Sequence, residues 1–580
     1  MAQAPHGVDR VSVQRRIVRR EQPASIDGEW PAQWPPLLQR LHAARGSSGA
    51  AQAMPRLADL LPFGLLTDIE KAVHLLDDAI NRGAHIVVVG DYDCDGATAC
   101  AVGVRGLRML GAKHVSHAVP NRIVHGYGMT LGLVEELVGL KPDLLVTVDH
   151  GIACHAGIAA AKAHGWQVLV TDHHLPGASL PAADAIVDPN QPGDAFPSKA
   201  LAGVGVMFYV LLALRAKRGV QADLGSLLDL VAVGTVADMV ALDANNRALV
   251  GAGLRRLRAG QGCAGLRALI DVAGRDAESL TTTDIGFAIG PRINAAGRLE
   301  DMSIGIECLL TDDPTQAMQL AQILQSINHE RRGVQAEMQD MAEAQMPNLG
   351  DAATSYAICL YDTDWHPGVV GLVASKTKER LHRPAIAFAP AEPGSSMLRG
   401  SARSIPGFHI RDALALVDAR HPGLVPRFGG HAMAAGLSLE LDDLPAFREA
   451  FQQVASEWLT PDLLTDTLHS DGELAADEFV IASALALRDG GHWGQGYPEP
   501  LFDGEFDVLG WRIVGERHLK LDLKHADRRV NAIHFGGWNG VPPSERLLLA
   551  YRLAPDDYRG SGAIQLIVVH AQPVAKPLKV

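Results

Sequence analysis

The sequence predicts an α/β protein with a parallel-sheet lobe, a long connecting helix, a second α/β lobe and a C-terminal β-barrel. Three observations lead to this prediction. Short apolar runs alternate with stretches of helical periodicity over residues 65–190, as in a doubly wound parallel sheet. A long polar stretch with helical spacing, residues 313–346, separates them from a second strand-and-helix pattern. After about residue 501 the pattern changes to short alternating strands, which suit an OB-fold.

Residues 1–64 are predicted to form an irregular N-terminal arm. The stretch is rich in Pro, Ala and Arg and has little periodicity, apart from a predicted helix near residues 36–44. Four arginines make the arm basic, namely Arg15, Arg16, Arg19 and Arg20. We expect a solvated arm, with contact to a phosphate backbone as the second possibility.

The first predicted strand, residues 86–89, runs into a loop with carboxylates at alternate positions. The strand is wholly apolar, which is typical of a strand buried on both faces. Asp91, Asp93 and Asp95 follow it. Carboxylates this close repel one another unless a cation neutralises them, so the loop indicates a metal site. A solvated turn is the alternative, because Asp and Gly are common turn residues.

Later apolar runs in the first lobe end in similar side chains. The residues that follow them are Asp149-His150, Asp172-His173-His174 and Asp188. Ligands of a doubly wound sheet bind beyond the carboxyl ends of its strands, so we expect these groups to converge on the acidic loop. Asp238 lies in the apolar run 229–240, where an acid is either paired or a metal ligand.

Two further segments of the first lobe suit contact with a nucleotide. Arg122 and Tyr127 lie in a glycine-containing loop, where a guanidinium and an aromatic face fit a phosphate and a base. From this motif alone, a turn with a packed Tyr is the favoured interpretation. The segment 291–298 places Arg292 and Arg298 among small residues that allow close approach of a ligand, and Arg recognises phosphate.

The second lobe has anion-binding residues but no acidic cluster. Ser401 and Arg403 lie in a run with glycine, and His431 follows a pair of glycines. Such segments offer backbone N–H groups and charged donors to an anion. We therefore expect this lobe to hold a phosphate chain rather than cut it.

The C-terminal domain combines basic and aromatic residues. The basic residues are Arg512, Arg517, Lys520, Lys524, Arg528 and Arg529, against Glu516, Asp522 and Asp527. The interleaved aromatic residues are Trp511, Phe535, Trp538 and Tyr551. This composition suits an OB-fold that stacks single-stranded bases. An ordinary solvated face is an equally good interpretation of these residues alone.

Composition limits the classes of function. At 580 residues the chain is expected to form two to four domains, and its hydrophobic content of 47% is that of a globular protein. The net charge of −14 provides no global attraction for nucleic acid, although local patches can override it. The six cysteines have neither CxxC pairs nor zinc-ligand spacing and are expected to be reduced cytosolic thiols. No apolar run reaches the roughly 18 residues of a membrane span, and the N-terminus does not resemble a secretory signal.

The motifs together resemble those of the DHH phosphoesterase family. The matching segments of the first lobe are 91–96, 121–128, 149–151 and 172–174, and segments 365–371 and 429–431 resemble the DHH-associated domain. The resemblance, which covers about residue 65 to the end, and the composition of the preceding stretch predict five units. They are an arm (1–64), a DHH catalytic domain (65–312), a connecting helix (313–347), a DHH-associated substrate-binding domain (348–460) and a C-terminal OB-fold (461–580).

The family resemblance also implies two divalent cations, Mn²⁺ or Mg²⁺, and roles for individual residues. The implied metal ligands are Asp91, Asp93, Asp95, Asp149, His173 and Asp238, and the implied catalytic residues are Asp149, His173 and His174. For His174 the resemblance leaves two roles open, a metal ligand or the neighbour that positions the substrate phosphate. In substrate binding, the resemblance implies that the terminal 5′ phosphate is bound by Arg122, Ser401 and Arg403. It also implies that Tyr127 stacks on a base and that Arg292 and His431 contact the backbone near the cut.

The resemblance, the chain length and the β-rich domain together predict a 5′→3′ exonuclease specific for single-stranded DNA that releases mononucleotides in recombination and repair. The resemblance suggests a single-strand-binding protein and a RecQ-type helicase as partners, and we expect a cytoplasmic monomer. One alternative is a phosphoesterase for short oligonucleotides, against which the extra β domain argues. The other is a non-catalytic DNA-binding scaffold, against which the full set of motif acids argues.

Overall fold

The computed structural model describes residues 15–23, 25–26, 28–122, 124–345, 355–556 and 562–574. The arm contains β1 (Arg15–Arg19), α1 (Pro36–Ala43) and α2 (Ala50–Ala53), so the helix predicted near residues 36–44 is confirmed. Within the described ranges, no helix is both long enough and apolar enough to cross a membrane.

The first lobe is a parallel sheet with helices on both faces. Its strands are β2 (His85–Val89), β3 (His114–Ala118), β4 (Leu144–Val148), β5 (Gln167–Thr171) and β6 (Ala185–Val187). Its helices are α3 (Ile69–Arg82), α4 (Cys94–Met109), α5 (Leu131–Leu137), α6 (His155–Ala163), α7 (Gly203–Arg218), α8 (Leu228–Ala237), α9 (Ala244–Arg258), α10 (Ala264–Val272), α11 (Thr282–Asp284), α12 (Gly290–Leu299) and α13 (Ser303–Leu310).

The strand order of this sheet places the site. The order is β3-β2-β4-β5-β6, with every neighbouring pair parallel. The chain leaves β2 toward one edge and returns to the other side of β2 as β4. The topological switch point, where such sheets bind ligands, therefore lies between the ends of β2 and β4. The acidic loop and Asp149 follow these two strands.

The buried strands supply side chains to both faces of the sheet. Val87 and Val89 belong to the core that contains α5 and α6, while Ile86 and Val88 belong to the core of α3, α4, α7 and α8. Alternate side chains of a strand point to opposite faces, so a strand covered on both sides needs a continuous apolar run. This confirms the prediction of a buried strand at residues 86–89.

The connecting helix α14 (Pro314–Gln345) belongs to both lobes. Ala321 and Leu324, near its start, are buried in the core of the first lobe. Met338 and Ala342, near its end, are buried in the core of the second lobe. The helix therefore fixes the two lobes relative to each other. The predicted last residues of this helix, 346–347, and the predicted start of the next lobe near residue 352 lie outside the described ranges.

In its described residues, the second lobe is a mixed five-stranded sheet with three helices. Its elements are β7 (Ile358–Tyr361), α15 (Val370–Leu381), β8 (Ala385–Pro390), β9 (Met397–Arg403), α16 (Ile410–Arg420), β10 (Arg427–Gly430), β11 (Ala434–Glu440) and α17 (Leu444–Trp458). The strand order is β10-β11-β9-β8-β7. Ser401 and Arg403 lie two residues apart on β9 and therefore share one face of the sheet.

The C-terminal domain is a closed barrel, as predicted. It is preceded by β12 (Asp466–Ser470) and α18 (Ile481–Asp489). The barrel strands are β13 (Phe502–Val514), β14 (His518–His525), β15 (Arg528–His534), β16 (Arg546–Pro555) and β17 (Ile564–Pro573), which close in the order β13-β14-β15-β17-β16.

The expectation that the N-terminal arm is solvated is wrong for its described part. Strand β1 pairs in parallel with β12 over its whole length. Its arginines bind carboxylates that come from the far end of the chain. The pairs are Arg15 with Asp466 at 2.7 Å, Arg19 with Asp503 at 2.7 Å and Arg20 with Asp471 at 3.6 Å. The arm thus ties the barrel and β12 to the beginning of the chain.

Candidate metal centre and substrate pocket

The predicted metal ligands converge at the carboxyl ends of the first-lobe strands. Three groups have ligand atoms within 4.8 Å of one another: Asp91, Asp93 and Asp149; Asp95, His173 and Asp238; and Asp149, His173 and His174. The His173 Nε2 atom lies 3.1 Å from Asp149 Oδ1, 3.5 Å from Asp238 Oδ2 and 4.0 Å from Asp95 Oδ2. All six predicted ligands therefore face one small volume.

Unpaired buried atoms indicate that this volume suits cations. Asp91 Oδ1, Asp149 Oδ1 and His173 Nε2 are buried and have no hydrogen bond to any described residue. A buried acceptor without a donor costs free energy, and a divalent cation removes that cost at several acceptors at once. Carboxylate oxygens together with an imidazole nitrogen suit Mn²⁺, and the carboxylates also suit Mg²⁺. The residues present thus fit the implied pair of divalent ions.

Local structure places the acidic loop. Helix α4 begins at Cys94, earlier than the predicted start at Ala97, so Asp93 becomes its N-cap and accepts a hydrogen bond from the Gly96 N–H at 3.0 Å. A Cβ on Gly96 would lie 2.5 Å from the backbone nitrogen of Asp91, so only glycine fits here. The loop can fold back tightly because this side chain is absent.

Asp95 differs from the other predicted ligands because both of its oxygens already have donors. They accept hydrogen bonds from the backbone N–H groups of Gly203 at 2.6 Å and Val204 at 2.9 Å, at the first turn of α7. The positive end of the helix stabilises a carboxylate at this position. Asp95 therefore joins the acidic loop to α7 and also presents an oxygen toward His173.

Without a cation, two of the buried carboxyls, Asp91 and Asp149, hold a proton more tightly than an ordinary Asp does. Burial, and next the charge of Asp93, raise the pKa of Asp91 to about 8. Burial, followed by the charges of Asp95 and Asp93, raises the pKa of Asp149 well above its usual range. Burial lowers the pKa of His173, so its imidazole is neutral and able to bind a metal. A bound cation would displace these protons and stabilise the carboxylates.

The second histidine of the DHH tripeptide has a different environment. Its Nδ1 lies 2.7 Å from Asp172 Oδ1, which also accepts hydrogen bonds from the backbone N–H groups of His173 and His174. Burial lowers the pKa of His174, but the bond to Asp172 and its charge outweigh burial and raise it to about 9. Sequence reasoning gave Asp172 no role, although it orients the whole turn.

The structure brings Arg122 and Tyr127 to the rim of the metal centre. The Tyr127 hydroxyl lies 3.4 Å from His174 Nε2, and its ring makes edge contacts with His174 and Tyr92. The Arg122 guanidinium lies 4.1 Å from the centroid of the Tyr92 ring. Tyr127 is about half exposed, at 47%. Stacking of its ring on a base stays a prediction, with a packed Tyr as the alternative.

The predicted residues of the second lobe lie across the cleft. Arg403 donates a hydrogen bond to Ser401 Oγ at 2.9 Å. Burial, and then the charge of Arg122, lower the pKa of Arg403, so arginines of both lobes approach one another. The imidazole of His431 stacks on that of His174 with 6.0 Å between ring centroids. The site is therefore built from both lobes.

Sequence reasoning named Arg298 but did not assign it to the site. Burial, followed by the charges of Arg122, Arg403 and Arg331, lowers its pKa to about 9. It donates a long hydrogen bond, 3.4 Å, to the backbone carbonyl of Gly368 in the second lobe. Several guanidinium groups around one cleft suit an anion such as a phosphate. The sequence feature that could have assigned Arg298 to the site is its position with Arg292 in the stretch 291–298.

Arg292 lies in different surroundings from Arg298. Its guanidinium donates a hydrogen bond to the backbone carbonyl of Ala288. Burial and the charges of Arg275 and Arg332 lower its pKa. The charged groups that act on Arg292 are thus Arg275 and Arg332, whereas Arg122, Arg403 and Arg331 act on Arg298.

The barrel surface carries three of the four aromatic residues that the sequence singled out. Trp511 is 41% exposed and stacks on Trp538, and Phe535 is 58% exposed. Tyr551, in contrast, is fully buried in the barrel core and is unavailable to a ligand. Arg529 forms an ion pair with Asp522, which reduces the basic surplus.

Family models match three parts of the chain. They are the DHH family, N-terminal domain, over residues 85–235; the DHHA1 domain over 353–457; and the RecJ OB domain over 470–570. These matches include β2 to α8, the second lobe and the barrel.

Individual proteins resemble the chain over nearly its whole length. The single-stranded-DNA-specific exonuclease RecJ of Escherichia coli (strain K12) is 45% identical over 579 residues, which are 97% of this chain and 100% of that protein. The structure of RecJ from Thermus thermophilus in complex with Mn²⁺ has a TM-score of 0.79 and 31% identity, and covers 98% of this chain and 80% of that one. The same protein in complex with Mg²⁺ has a TM-score of 0.75 and 30% identity, and covers 97% and 79%.

Proposed function

This chain belongs to the RecJ family of single-stranded-DNA-specific exonucleases, and we propose that it hydrolyses single-stranded DNA from the 5′ end and releases 5′-mononucleotides. The observation that carries the proposal is the convergence of buried, unpaired carboxylate and imidazole atoms beside a cluster of arginines from two lobes. The first group suits two divalent cations, and the second suits the phosphates of a strand.

The residues of the metal centre have separable tasks in this proposal. Asp91, Asp93, Asp149, His173 and Asp238 would hold the ions, with Asp95 as a further ligand that also fixes α7. Two ions, Mn²⁺ or Mg²⁺, would supply an activated water and neutralise charge on the scissile phosphate.

His174 would bind the phosphate rather than accept a proton. Asp172 holds its Nδ1 at 2.7 Å, which leaves Nε2, 3.4 Å from the Tyr127 hydroxyl, as the nitrogen for the substrate. A protonated imidazole there donates to a phosphate oxygen and opposes the charge that develops during hydrolysis. Tyr127 would stack on a base, and His431 and Arg292 would contact the strand backbone.

The arginine cluster accounts for the proposed polarity. Arg122, Arg403 and Ser401 would grip the terminal 5′ phosphate, and we add Arg298 to this group because its charge is close to both arginines. A terminal phosphate carries more charge than an internal one and benefits most from several guanidinium donors. Recognition of this end places the first phosphodiester bond at the metal centre.

Specificity for single strands would follow from the width of the cleft. The His174 and His431 rings come from different lobes and lie 6.0 Å apart between centroids. The two lobes therefore contact each other beside the metal centre, and a passage bounded by this contact would exclude a duplex, which is much thicker than one strand. Because α14 is buried in both lobes, we expect the cleft to stay narrow.

The barrel is proposed to bind the strand farther from the cut. Trp511 and Phe535, which are both exposed, suit stacking on bases, and the basic residues Arg512, Arg517 and Lys520 suit the backbone of the strand. This favours the strand-binding interpretation of the barrel over an ordinary solvated face. A substrate of a few nucleotides would not need such a surface.

The wider context is also a proposal. We propose that the enzyme acts in recombination and repair in the cytoplasm, as a monomer, with a single-strand-binding protein and a RecQ-type helicase as partners. We also propose the five units given above (1–64, 65–312, 313–347, 348–460 and 461–580) as arm, catalytic, connecting, substrate-binding and strand-binding parts.

The test is digestion of end-labelled DNA by wild type and Asp149→Ala in Mn²⁺. We expect mononucleotides from the 5′ end of single strands, none from blunt duplexes, and none from the variant. Release from the 3′ end would contradict the polarity. Digestion of only the shortest oligonucleotides would favour the small-substrate phosphoesterase, and binding without cleavage would favour the scaffold.

A further inference from the structure

The loop between β6 and α7, residues 188–202, contacts segments that carry residues of the metal centre. Its last residue precedes Gly203, whose backbone N–H donates to Asp95 at 2.6 Å. Two asparagines outside the metal-binding volume hold this loop in place. They are Asn190, within the loop, and Asn246, on α9.

Asn190 joins the loop to the DHH turn. Its Nδ2 donates hydrogen bonds to the backbone carbonyl of His173 at 2.6 Å and to that of Lys199 at 3.2 Å. Its own backbone N–H donates to Asp188 Oδ1 at 2.7 Å. The amide therefore fixes the main chain of the residue whose imidazole faces Asp149 and Asp238.

Asn246 joins the next residue of the loop to the segment after α8. Its Nδ2 donates to the backbone carbonyl of Ala200 at 2.6 Å and to that of Ala241 at 2.9 Å. The side chain is fully buried. Ala241 lies three residues after Asp238, so this amide sets the path of the chain that carries that carboxylate.

We propose that Asn190 and Asn246 are positioning residues of the metal centre that act as a pair through the adjacent carbonyls of Lys199 and Ala200. A primary amide is the neutral group that can donate from one nitrogen to two carbonyls, as both side chains do here. One amide binds the backbone of His173 and the other binds the backbone three residues after Asp238, and the ligand atoms of His173 and Asp238 are 3.5 Å apart. Both amides also bind the loop that ends just before Gly203, whose N–H donates to Asp95. The inference rests on the proposed function only in taking these groups as metal ligands.

The test compares Mn²⁺ binding of the full chain with and without each amide. Removal of groups that orient metal ligands typically weakens metal binding about 10- to 100-fold, and we expect this for Asn190→Ala and Asn246→Ala. Mn²⁺ binding is measured by electron paramagnetic resonance without DNA. Nuclease assays then give the Mn²⁺ concentration for half-maximal rate, which should rise by the same factor, while excess Mn²⁺ restores most of kcat with little change in KM for DNA.

Asn245→Ala is the matched control. Asn245 is the neighbour of Asn246 on α9 and is also buried, but its Oδ1 accepts hydrogen bonds from the Leu61 N–H and the Tyr209 hydroxyl, away from the metal centre. We expect its variant to lose thermal stability without a change in Mn²⁺ affinity. If Asn246→Ala does not fold, Asn190→Ala decides, because Asn190 is only partly buried.

An unchanged Mn²⁺ dissociation constant in the folded Asn190→Ala protein would overturn the proposal, even if its melting temperature fell. The result does not depend on the reaction, because Mn²⁺ binding is measured without substrate. A wild type that binds Mn²⁺ but releases no nucleotides would refute the proposed function, whereas the comparison of Mn²⁺ affinities would still decide the role of the two amides.

Discussion

Replacing Asp91 by Asn should stabilise the metal-free protein at pH 8 and destabilise the metal-loaded one. In the metal-free fold the Asp91 carboxyl has a pKa of about 8, against an ordinary value of 3.8, chiefly because it is buried and next because Asp93 is close. The folded chain therefore keeps a proton that the unfolded chain releases. The contribution of the protonated Asp91 carboxyl to the free energy of unfolding is fully present below pH 3.8, and it is lost as the pH rises through about 8.

The magnitude follows from that difference in pKa. One pKa unit corresponds to about 1.4 kcal/mol, so the difference between 3.8 and about 8 sets a ceiling of about 6 kcal/mol. Water entry and an effective dielectric constant near about 20 reduce this to a few kcal/mol. For a lobe of this size we expect the first thermal transition of Asp91→Asn to lie roughly 5–10 °C above that of wild type.

The assay is differential scanning calorimetry of both proteins in EDTA between pH 5 and pH 9, and again with Mn²⁺. The advantage of Asp91→Asn should grow with pH in EDTA and reverse with Mn²⁺, since the variant lacks an anionic ligand. Asp527→Asn, an exposed position on the barrel, is the control and should change little. Equal pH dependence of wild type and Asp91→Asn in EDTA would refute the reasoning.

Three further predictions concern other parts of the site. Asp172→Asn should lower the pKa of His174 from about 9 to below 6.5, because the lowering of the pKa by burial is then no longer outweighed by the Asp172 carboxylate. An NMR titration of the metal-free protein measures this pKa, and an unchanged value would contradict the prediction. Arg298→Ala should reduce the preference for 5′-phosphorylated over 5′-hydroxyl strands about 10- to 100-fold, which corresponds to the free energy of one charged hydrogen bond. Arg298→Lys should give an intermediate preference. The preference is the ratio of the KM values for the two strands, and an unchanged ratio would contradict the prediction. Trp511→Ala should weaken binding of a 30-nucleotide strand about tenfold but leave binding of a 4-nucleotide strand unaffected. Fluorescence anisotropy measures both affinities, and an equal loss for the two lengths would contradict strand binding by the barrel.

Much of the first lobe could be predicted because its signals are local. A buried parallel strand must be apolar on both faces, and its end must carry the ligands, so the run at 86–89 and the acids after it were sufficient to place the metal centre. The DHH turn followed from the same rule. The start of α4 was misplaced by three residues because Asp93, interpreted as a ligand, also serves as the helix cap.

The remaining features depend on contacts between distant parts of the chain. Arg298 is close to Arg122 of its own lobe and to Arg403 of the second lobe, and the stretch 291–298 alone does not reveal that either arginine approaches it. Tyr551 and Trp511 both lie on barrel strands with alternating patterns, but barrel closure buries the first and leaves the second exposed. The pairing of β1 with β12 has no local signal in either strand.

That pairing has a consequence for synthesis of the protein. Arg15 and its partner Asp466 are separated by 451 positions, so the ribosome needs roughly 20–90 s after it has made β1 before β12 exists, at about 5–20 residues per second. During that time β1 is a strand without a partner, the kind of edge on which nascent chains aggregate. Lysine and arginine side chains discourage such association. The arginines of β1 thus protect the nascent strand first, and they bind the carboxylates of β12 and the barrel once the chain is nearly complete.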